Sequence, residues 1–381
     1  MTSIFFDHAS ATPIDPEVKK TMARYLSVFY GNPSSMHTLG LGARHVVEDA
    51  RSGVAKILGC KLTEILFTSG GTEGNNLAIQ GVCRAQRAKG RHIITTVIEH
   101  SSILETCKYL EKEEGYKISY LRVDNEGFID LEELAQAIQK DTVLISIGYA
   151  NSEIGVIQDV AKIGEIAREH NVVFHTDACQ AAGCLDLDVS RLHVDLMTLN
   201  GAKIYGPKGV GVLYKRTGVP LKPLFFGGGQ EFGYRSGTEN VSVIVGFAKA
   251  LEIAEQRKKK EVERLMELRN YLIERVLTIP GARLNGPHER RLPNNANFTF
   301  RGTEGESLML FLNDRDVLTS TGSACASKSS EPSPVLTALG LSYKDARASL
   351  RITMGNSTRK KDVDALLEAL TDALRRLRVK Q

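Results

Sequence analysis

Between about Thr63 and Leu213, short apolar runs alternate with helical stretches. That alternation predicts an α/β fold in which a mostly parallel sheet is covered on both faces by helices. Two further observations refine it. At 381 residues the chain exceeds the usual size of a single core, so two subdomains are expected within one packed subunit. Beyond the Pro280-Gly281 turn, the pattern changes to that of a smaller α+β domain.

Seven strands are expected for the first unit, at Glu64 to Thr68, His92 to Thr96, Lys117 to Arg122, Thr142 to Gly148, Val172 to Thr176, Leu196 to Leu199 and Gly211 to Tyr214. Asp130 to Ile138 and Val160 to Glu169 read as helices between them. The long segment from Val241 to Ile279 links the units, and its basic run, Arg257 to Lys260, reads as a solvated helix face. In the second unit Asn295 to Phe300 and Ala348 to Thr353 read as strands. Its last helix, Lys361 to Leu377, sets Val363, Leu366, Leu367, Leu370 and Leu374 on one stripe suited to core packing. Internal repeats, low-complexity tracts and a flexible linker are all missing from the sequence.

Composition narrows the function. Lys plus Arg total 49 against 45 for Asp plus Glu, a formal net charge of +4, which is too balanced to argue for nucleic acid. No run approaches the roughly 20 apolar residues of a membrane span, and the N-terminus does not read as a secretory signal. The six cysteines are too sparse for a disulfide framework and lack zinc-type pairs, so a reducing cytoplasm is expected.

One cysteine stands apart. Cys325 lies in TSTGSACASKSSEPSP, residues 319–334, among small polar residues that favour an exposed, mobile loop. That placement suits a thiol that travels and reacts, provided a partner such as Lys328, a cofactor or a substrate group activates it.

Three other signals point to a phosphorylated, cationic cofactor. In TSGGTEGNNLAI, residues 68–79, a strand runs through a Gly-rich turn into a helix whose first amides, with Thr72, can cradle a phosphate; a plain turn capped by Thr72 or Ser69 explains the same letters. In NVVFHTDACQ an apolar strand delivers Asp177 at its carboxyl end, where open α/β sheets bind ligands and where an acid can hold a protonated ring nitrogen; a helix cap or a metal ligand is the alternative. Lys203, directly after another strand, can condense with an aldehyde if its surroundings lower its pKa, although a lone surface lysine is the default.

Taken jointly, FDHASATPIDP, GNPSS, TSGGTEGNNLAI, the Glu99-His100 pair, NSEIGVIQD, HTDACQAAG, AKIYGPKG, RSGTEN, GSACAS and LRITMG resemble the pyridoxal-phosphate-dependent cysteine desulfurases of the NifS and IscS type, class-V aminotransferases, over nearly the full length. The resemblance implies a fold-type I (aspartate aminotransferase-like) subunit. A large cofactor domain would span 16–257, and a small domain, 1–15 with 258–381, would carry the Cys325 loop. It implies a homodimer with active sites at the subunit interface.

It also implies roles. Lys203 would hold pyridoxal 5'-phosphate covalently, Asp177 would pair with the ring nitrogen, Gln180 and Asn151 would contact the ring hydroxyl region, and His100 would stack on the ring. Gly71 and Thr72 would bind the phosphate, with Thr238 reaching it from the other subunit. Arg351 would clamp the substrate carboxylate with help from Asn32. L-cysteine would become L-alanine, its sulfur passing to Cys325 as a persulfide for an iron-sulfur scaffold or another acceptor. No metal is implied beyond a transient iron-sulfur contact at Cys325. A selenocysteine lyase, or another lyase acting on sulfur amino acids, would share most of this site.

The sequence departs from the family at Asn200-Gly201-Ala202-Lys203, where Ser-Gly-His-Lys is common. Asn200 can still donate a hydrogen bond and Ala202 cannot, so weaker cofactor retention is expected, with a cofactor-poor docking platform for sulfur-transfer partners as the extreme case. The sequence also ends soon after Leu377, without the tail by which IscS-like relatives engage a scaffold.

Overall fold

The computed structural model describes residues 3–322 and 331–378. In chain order the strands are β1 (Ile4–Phe5), β2 (Ile65–Thr68), β3 (His92–Thr96), β4 (Lys117–Leu121), β5 (Thr142–Ser146), β6 (Val173–Asp177), β7 (Leu196–Asn200), β8 (Gly211–Lys215), β9 (Ala282–Leu284), β10 (Asn295–Phe300), β11 (Val317–Leu318) and β12 (Ser349–Thr353). The helices are α1 (Pro16–Ser27), α2 (Thr38–Leu58), α3 (Gly71–Ala85), α4 (Ser101–Glu114), α5 (Leu131–Ala137), α6 (Val160–Glu169), α7 (Val241–Leu277), α8 (Gly305–Asn313), α9 (Pro334–Ala338), α10 (Tyr343–Arg347) and α11 (Lys360–Arg378).

Strands β2 to β8 form a seven-stranded sheet in the order β2-β8-β7-β6-β5-β3-β4. β8 is antiparallel to both β2 and β7, and the other pairs are parallel, so six strands point one way and β8 opposes them. Residues 201–210, which join β7 to β8, are too few for a parallel crossover, and the chain turns back instead. Successive side chains enter opposite cores. Ile94, Ile145, Met197 and Val212 pack with α2, α6 and the first half of α7, whereas Ile93, Leu144, Leu196 and Leu213 pack with α3 and α4. Burial on both faces is why these strands read as continuous apolar runs.

β9, β10 and β12 make a three-stranded antiparallel sheet, and β1 pairs in parallel with β11. Phe298, Phe300, Leu350 and Ile352 pack there with α8, α11 and the second half of α7. Helix α7 thus serves two cores, through Val241, Ile244 and Phe247 at one end and Leu272, Ile273 and Val276 at the other. Between them Arg257, Lys259 and Lys260 are exposed and Lys258 half-buried, the solvated face expected, with Arg257 paired to Asp15 and Glu17. On α11, Val363, Leu366, Leu370 and Leu374 are buried as expected; Leu367 sits at the edge of the stripe, and Ala369 and Ala373 complete it. Among the described residues no helix is long and apolar enough to cross a membrane.

Candidate active site

Because six strands share one direction, their carboxyl ends gather on one side, where α/β sheets bind ligands. The last residues of β6 and β7, Asp177 and Asn200, and the segments following β2, β3, β5, β6 and β7, with Gly71, Thr72, His100, Asn151, Gln180 and Lys203, meet at one cavity of about 530 Å³, and Arg351 from β12 also lines it. Asn32 and Thr238 do not line the cavity of their own chain. Cys325 lies outside the described residues.

At the β2–α3 turn the N-cap is Gly70, with φ 148° and no side-chain cap, so Thr72 and Ser69 do not cap the helix. Only glycine enters that backbone region readily. A Cβ on Gly71 would lie 2.8 Å from Cys179 Sγ, so the helix start is shaped by the turn that follows β6. Amides at an uncapped helix start attract an anion. Asn200 accepts the Ala202 N–H on Oδ1 at 3.1 Å, and its Nδ2 lies 3.5 Å from where that Cβ would be. Ala202 itself is not part of the lining; its carbonyl accepts the Thr12 N–H at 2.9 Å.

Asp177 ends β6. Its Oδ1 accepts the Cys179 N–H at 2.9 Å and its Oδ2 accepts from Asn75 Nδ2 at 2.7 Å. The same amide donates to Ser102 Oγ at 2.9 Å, and that hydroxyl lies 2.8 Å from His100 Nδ1. Nδ1 also accepts the Ser102 N–H at 3.1 Å. An N–H can only donate, so Nδ1 is the acceptor and neutral His100 carries its proton on Nε2. Asn75 and Ser102 therefore tie the acid and the imidazole into one network. Sequence reasoning passed over both, although Asn75 sits one helical turn after Gly71 on the same face. Asn75 Oδ1 is buried without a partner among the described residues.

The side chain of Lys203 reaches the segment after β1, donating from Nζ to the carbonyls of Ala9 at 2.7 Å and Ser10 at 2.5 Å. Gln180 Nε2 donates to the same Ala9 carbonyl at 3.0 Å, while the Ala9 N–H is held by Thr353 Oγ1 of β12. Burial pushes the Lys203 ammonium below the usual lysine range; Arg351 adds to the effect, and Cys179, Asp177 and Asp7 oppose it. Neutral amine is the form that condenses with an aldehyde.

Arg351 is 4 % exposed. It pairs through Nη2 with Asp7 at 2.6 Å and donates from Nη1 to the carbonyls of Ser152 and Gly322 at 3.3 and 3.4 Å. Its Nε is buried without a partner among the described residues. Asp7, which pairs with Arg351, and Glu153, on the cavity wall, both escaped sequence reasoning as site residues; an acid inside FDHASATP and another inside NSEIG were the available signals. Asn151 is absorbed by its turn, accepting the N–H groups of Glu153 and Ile154 on Oδ1 and donating from Nδ2 to the Ile98 carbonyl at 2.9 Å. Glu99 braces the next turn by accepting the Gly148 N–H and the Thr96 hydroxyl, and burial holds its carboxyl up at about 7.

The five described cysteines are poor nucleophiles. Burial pushes the thiols of Cys60, Cys107 and Cys184 up to about 12, and those of Cys83 and Cys179 well above the ordinary range.

A "Cysteine desulfurase IscS" from Dictyoglomus turgidum is 48% identical over 376 residues, which cover 98% of this chain and 95% of that protein. Among solved structures, a NifS-like protein superposes with a TM-score of 0.93 at 36% identity, covering 98% of this chain and all of that one. A structure described as SspA in complex with cysteine gives a TM-score of 0.81 at 36% identity, covering 93% of this chain and 99% of its own. Residues 4–366 match the family described as aminotransferase class-V. With that match spanning most of its length, this chain belongs to the class-V aminotransferase family.

Proposed function

We propose that the protein is a pyridoxal-phosphate-dependent cysteine desulfurase, converting L-cysteine to L-alanine and passing the sulfur to Cys325. The observation that carries this reading is the meeting of Lys203, Asp177, Arg351 and the uncapped start of α3 on one cavity. The donor set fits pyridoxal phosphate: a helix N-terminus for the phosphate, an acid for the ring nitrogen and a desolvated amine for the aldehyde. When bound, that group supplies an electron sink for the substrate's Cα–H bond.

The residues of this chain do the rest. Gly71, Thr72 and Asn200 would hold the phosphate, Asp177 would hold the ring's positive charge, and His100 would stack on the ring. Lys203 anchors the cofactor, then moves the proton at the substrate Cα. Arg351 fixes the substrate carboxylate. Cys325 thiolate attacks the substrate sulfur: an S–S bond forms as the Cβ–S bond breaks, the electron pair of that bond stays on carbon and takes up the proton given up by the substrate thiol, and alanine leaves with a persulfide on the enzyme. The raised pKa values of the other five cysteines support Cys325 as carrier, and the cysteine complex of the SspA relative supports the substrate.

The same reading makes the protein a cytoplasmic homodimer that hands sulfur to an iron-sulfur scaffold or another acceptor. Met36, Phe226 and Tyr30 are strongly exposed apolar side chains in the segments around 26–41 and 225–232, and Asn32 lies in the first of these, away from its own chain's cavity. A partner subunit would cover them and bring Thr238 to the phosphate. The division into 16–257 and 1–15 with 258–381 belongs to this proposal too, supported by the separate cores on the two halves of α7.

The test is to incubate purified holoenzyme with L-cysteine or L-selenocysteine, measure alanine, and map the enzyme-bound sulfur by mass spectrometry. Alanine from cysteine with one extra sulfur on Cys325 is the expected result. Turnover of selenocysteine alone, or sulfur on another cysteine with Cys325 unmodified, would refute it.

A further inference from the structure

Glu153 is a deeply buried carboxyl on the cavity wall to which the proposed mechanism gives no task. It is 5 % exposed, and its Oε1 is buried without a partner among the described residues. The residue is pinned: its N–H donates to Asn151 Oδ1 at 2.8 Å, its carbonyl accepts from Asn297 Nδ2 at 3.2 Å and Asn295 Nδ2 at 3.4 Å, and its carboxyl takes a hydrogen bond from the Ser333 side chain. Gly322 lies against it. A Cβ there would stand 2.8 Å from Oε1, and the Gly322 carbonyl in turn accepts from Arg351 Nη1. Gly322 therefore touches both Glu153 and Arg351, side chains that line one cavity and each carry a buried atom without a partner among the described residues, Oε1 and Nε.

No salt bridge joins Glu153 to Arg351, whose short contact is with Asp7. The neighbouring groups from β10, from its own turn and from the start of α9 are neutral: Asn295, Asn297, Asn151 and Ser333. Among the described residues, the charged group facing Glu153 is Arg351 of β12, and Asp7, after β1, faces Arg351. A buried carboxyl without a contacting cation favours its neutral form, whose O–H is a donor in search of an acceptor. Burial indeed holds Glu153 up at about 7, with Ser333 and Arg351 pulling down.

We propose that Glu153 is a second, proton-bearing arm of the substrate-carboxylate site, donating Oε1–H to the carboxylate that Arg351 holds. The proposal rests on the reading of Arg351 as the carboxylate clamp. Loss of the Glu153 proton turns a donor into a negative charge facing an anion, so binding weakens as pH rises through about 7 and draws a proton in from solution above it.

The probe is 3-mercaptopropionate, which has the thiol and carboxylate of cysteine but no amine to react with the cofactor. Its binding to holoenzyme is measured by calorimetry from pH 6.5 to 8.5, in buffers of differing ionisation heat, for wild type, Glu153→Gln and Arg351→Ala. Wild-type affinity is expected to fall on the order of tenfold over this range, with proton uptake at pH 8. Glu153→Gln, a donor at every pH, should give a flatter profile and lose that uptake. Identical pH profiles and uptake in wild type and Glu153→Gln would overturn the proposal while a loss of binding in Arg351→Ala leaves the clamp standing. Wild-type affinity in Arg351→Ala would instead remove the clamp reading. If Glu153→Gln does not fold, the wild-type heats decide: no proton uptake at pH 8 refutes the proposal.

Discussion

The two ends of this cavity are built on opposite principles. At the Asp177 end, Asp177, Asn75, Ser102 and His100 are joined by hydrogen bonds of 2.7 to 3.1 Å. At the Arg351 end, Arg351 Nε and Glu153 Oε1 are buried and unpartnered among the described residues, and Lys203 rests on the backbone carbonyls of Ala9 and Ser10. Hydrogen-bonded networks hold a group in one orientation, with Asn75 Oδ1 the one network atom at this end left unpartnered among the described residues, whereas an orphaned guanidinium N–H and carboxyl oxygen are groups waiting for a ligand. The contrast matches the proposed chemistry, in which the cofactor stays and the amino acid comes and goes.

Substitutions at the two ends should fail differently. Asp177→Asn removes a charge-assisted contact worth about 1.5–3 kcal/mol, and because that contact matters most while electrons move into the ring, kcat should fall by roughly 10- to 100-fold or more. Arg351→Lys keeps the charge but loses the planar fork, so KM for cysteine should rise on the order of tenfold with a smaller change in kcat. Steady-state alanine release at saturating cofactor separates the two. A kcat effect from Arg351→Lys and a KM effect from Asp177→Asn would erase the distinction.

Asn75→Ala should act between these sites, freeing Asp177 Oδ2 and Ser102 Oγ together and weakening cofactor retention by up to about tenfold. Asn75→Asp, which sets a carboxylate beside Asp177, should be worse. Equal retention in dialysis by wild type and both variants would show that the network is not needed.

The smallest effect concerns stability rather than turnover. A carboxyl held at about 7 in the folded state, against 4.5 in the unfolded chain, binds more protons when folded; its stabilising contribution is lost as pH rises from about 4.5 to 7, then levels off. Glu153→Gln cannot titrate. Its thermal midpoint should therefore gain on wild type from pH 5 to 7.5, and a constant difference across that range would mean that Glu153 is ionised throughout.

Strands of the large sheet were legible because burial on both faces leaves no polar alternation. Strand β10 and helix α6 match the expected bounds, and β3 does as well. Helices α1, α2 and α8 were not, since half-exposed helices near Gly and Pro residues carry a weaker stripe. Lys203, Asp177, Gly71 and His100 each stand at a strand's carboxyl end or a helix start, positions that local pattern can locate. Asp7 meets Arg351 across 344 residues, and Asn75 meets Asp177 across 102. No local pattern encodes such meetings. Asn200 and Ala202 are instructive in another way: the departure was plain in the letters, but only the fold sets Asn200 beside Gly71 and leaves Ala202 off the cavity wall.

The central claim is that Lys203 binds the cofactor's aldehyde in the cavity that both ends share. Reducing the holoenzyme with borohydride and mapping the resulting pyridoxyl group by peptide mass spectrometry tests it directly. The account predicts a single adduct on Lys203, absent from Lys203→Ala together with the protein's yellow colour. An adduct on a different lysine, or colour that survives Lys203→Ala, would contradict it.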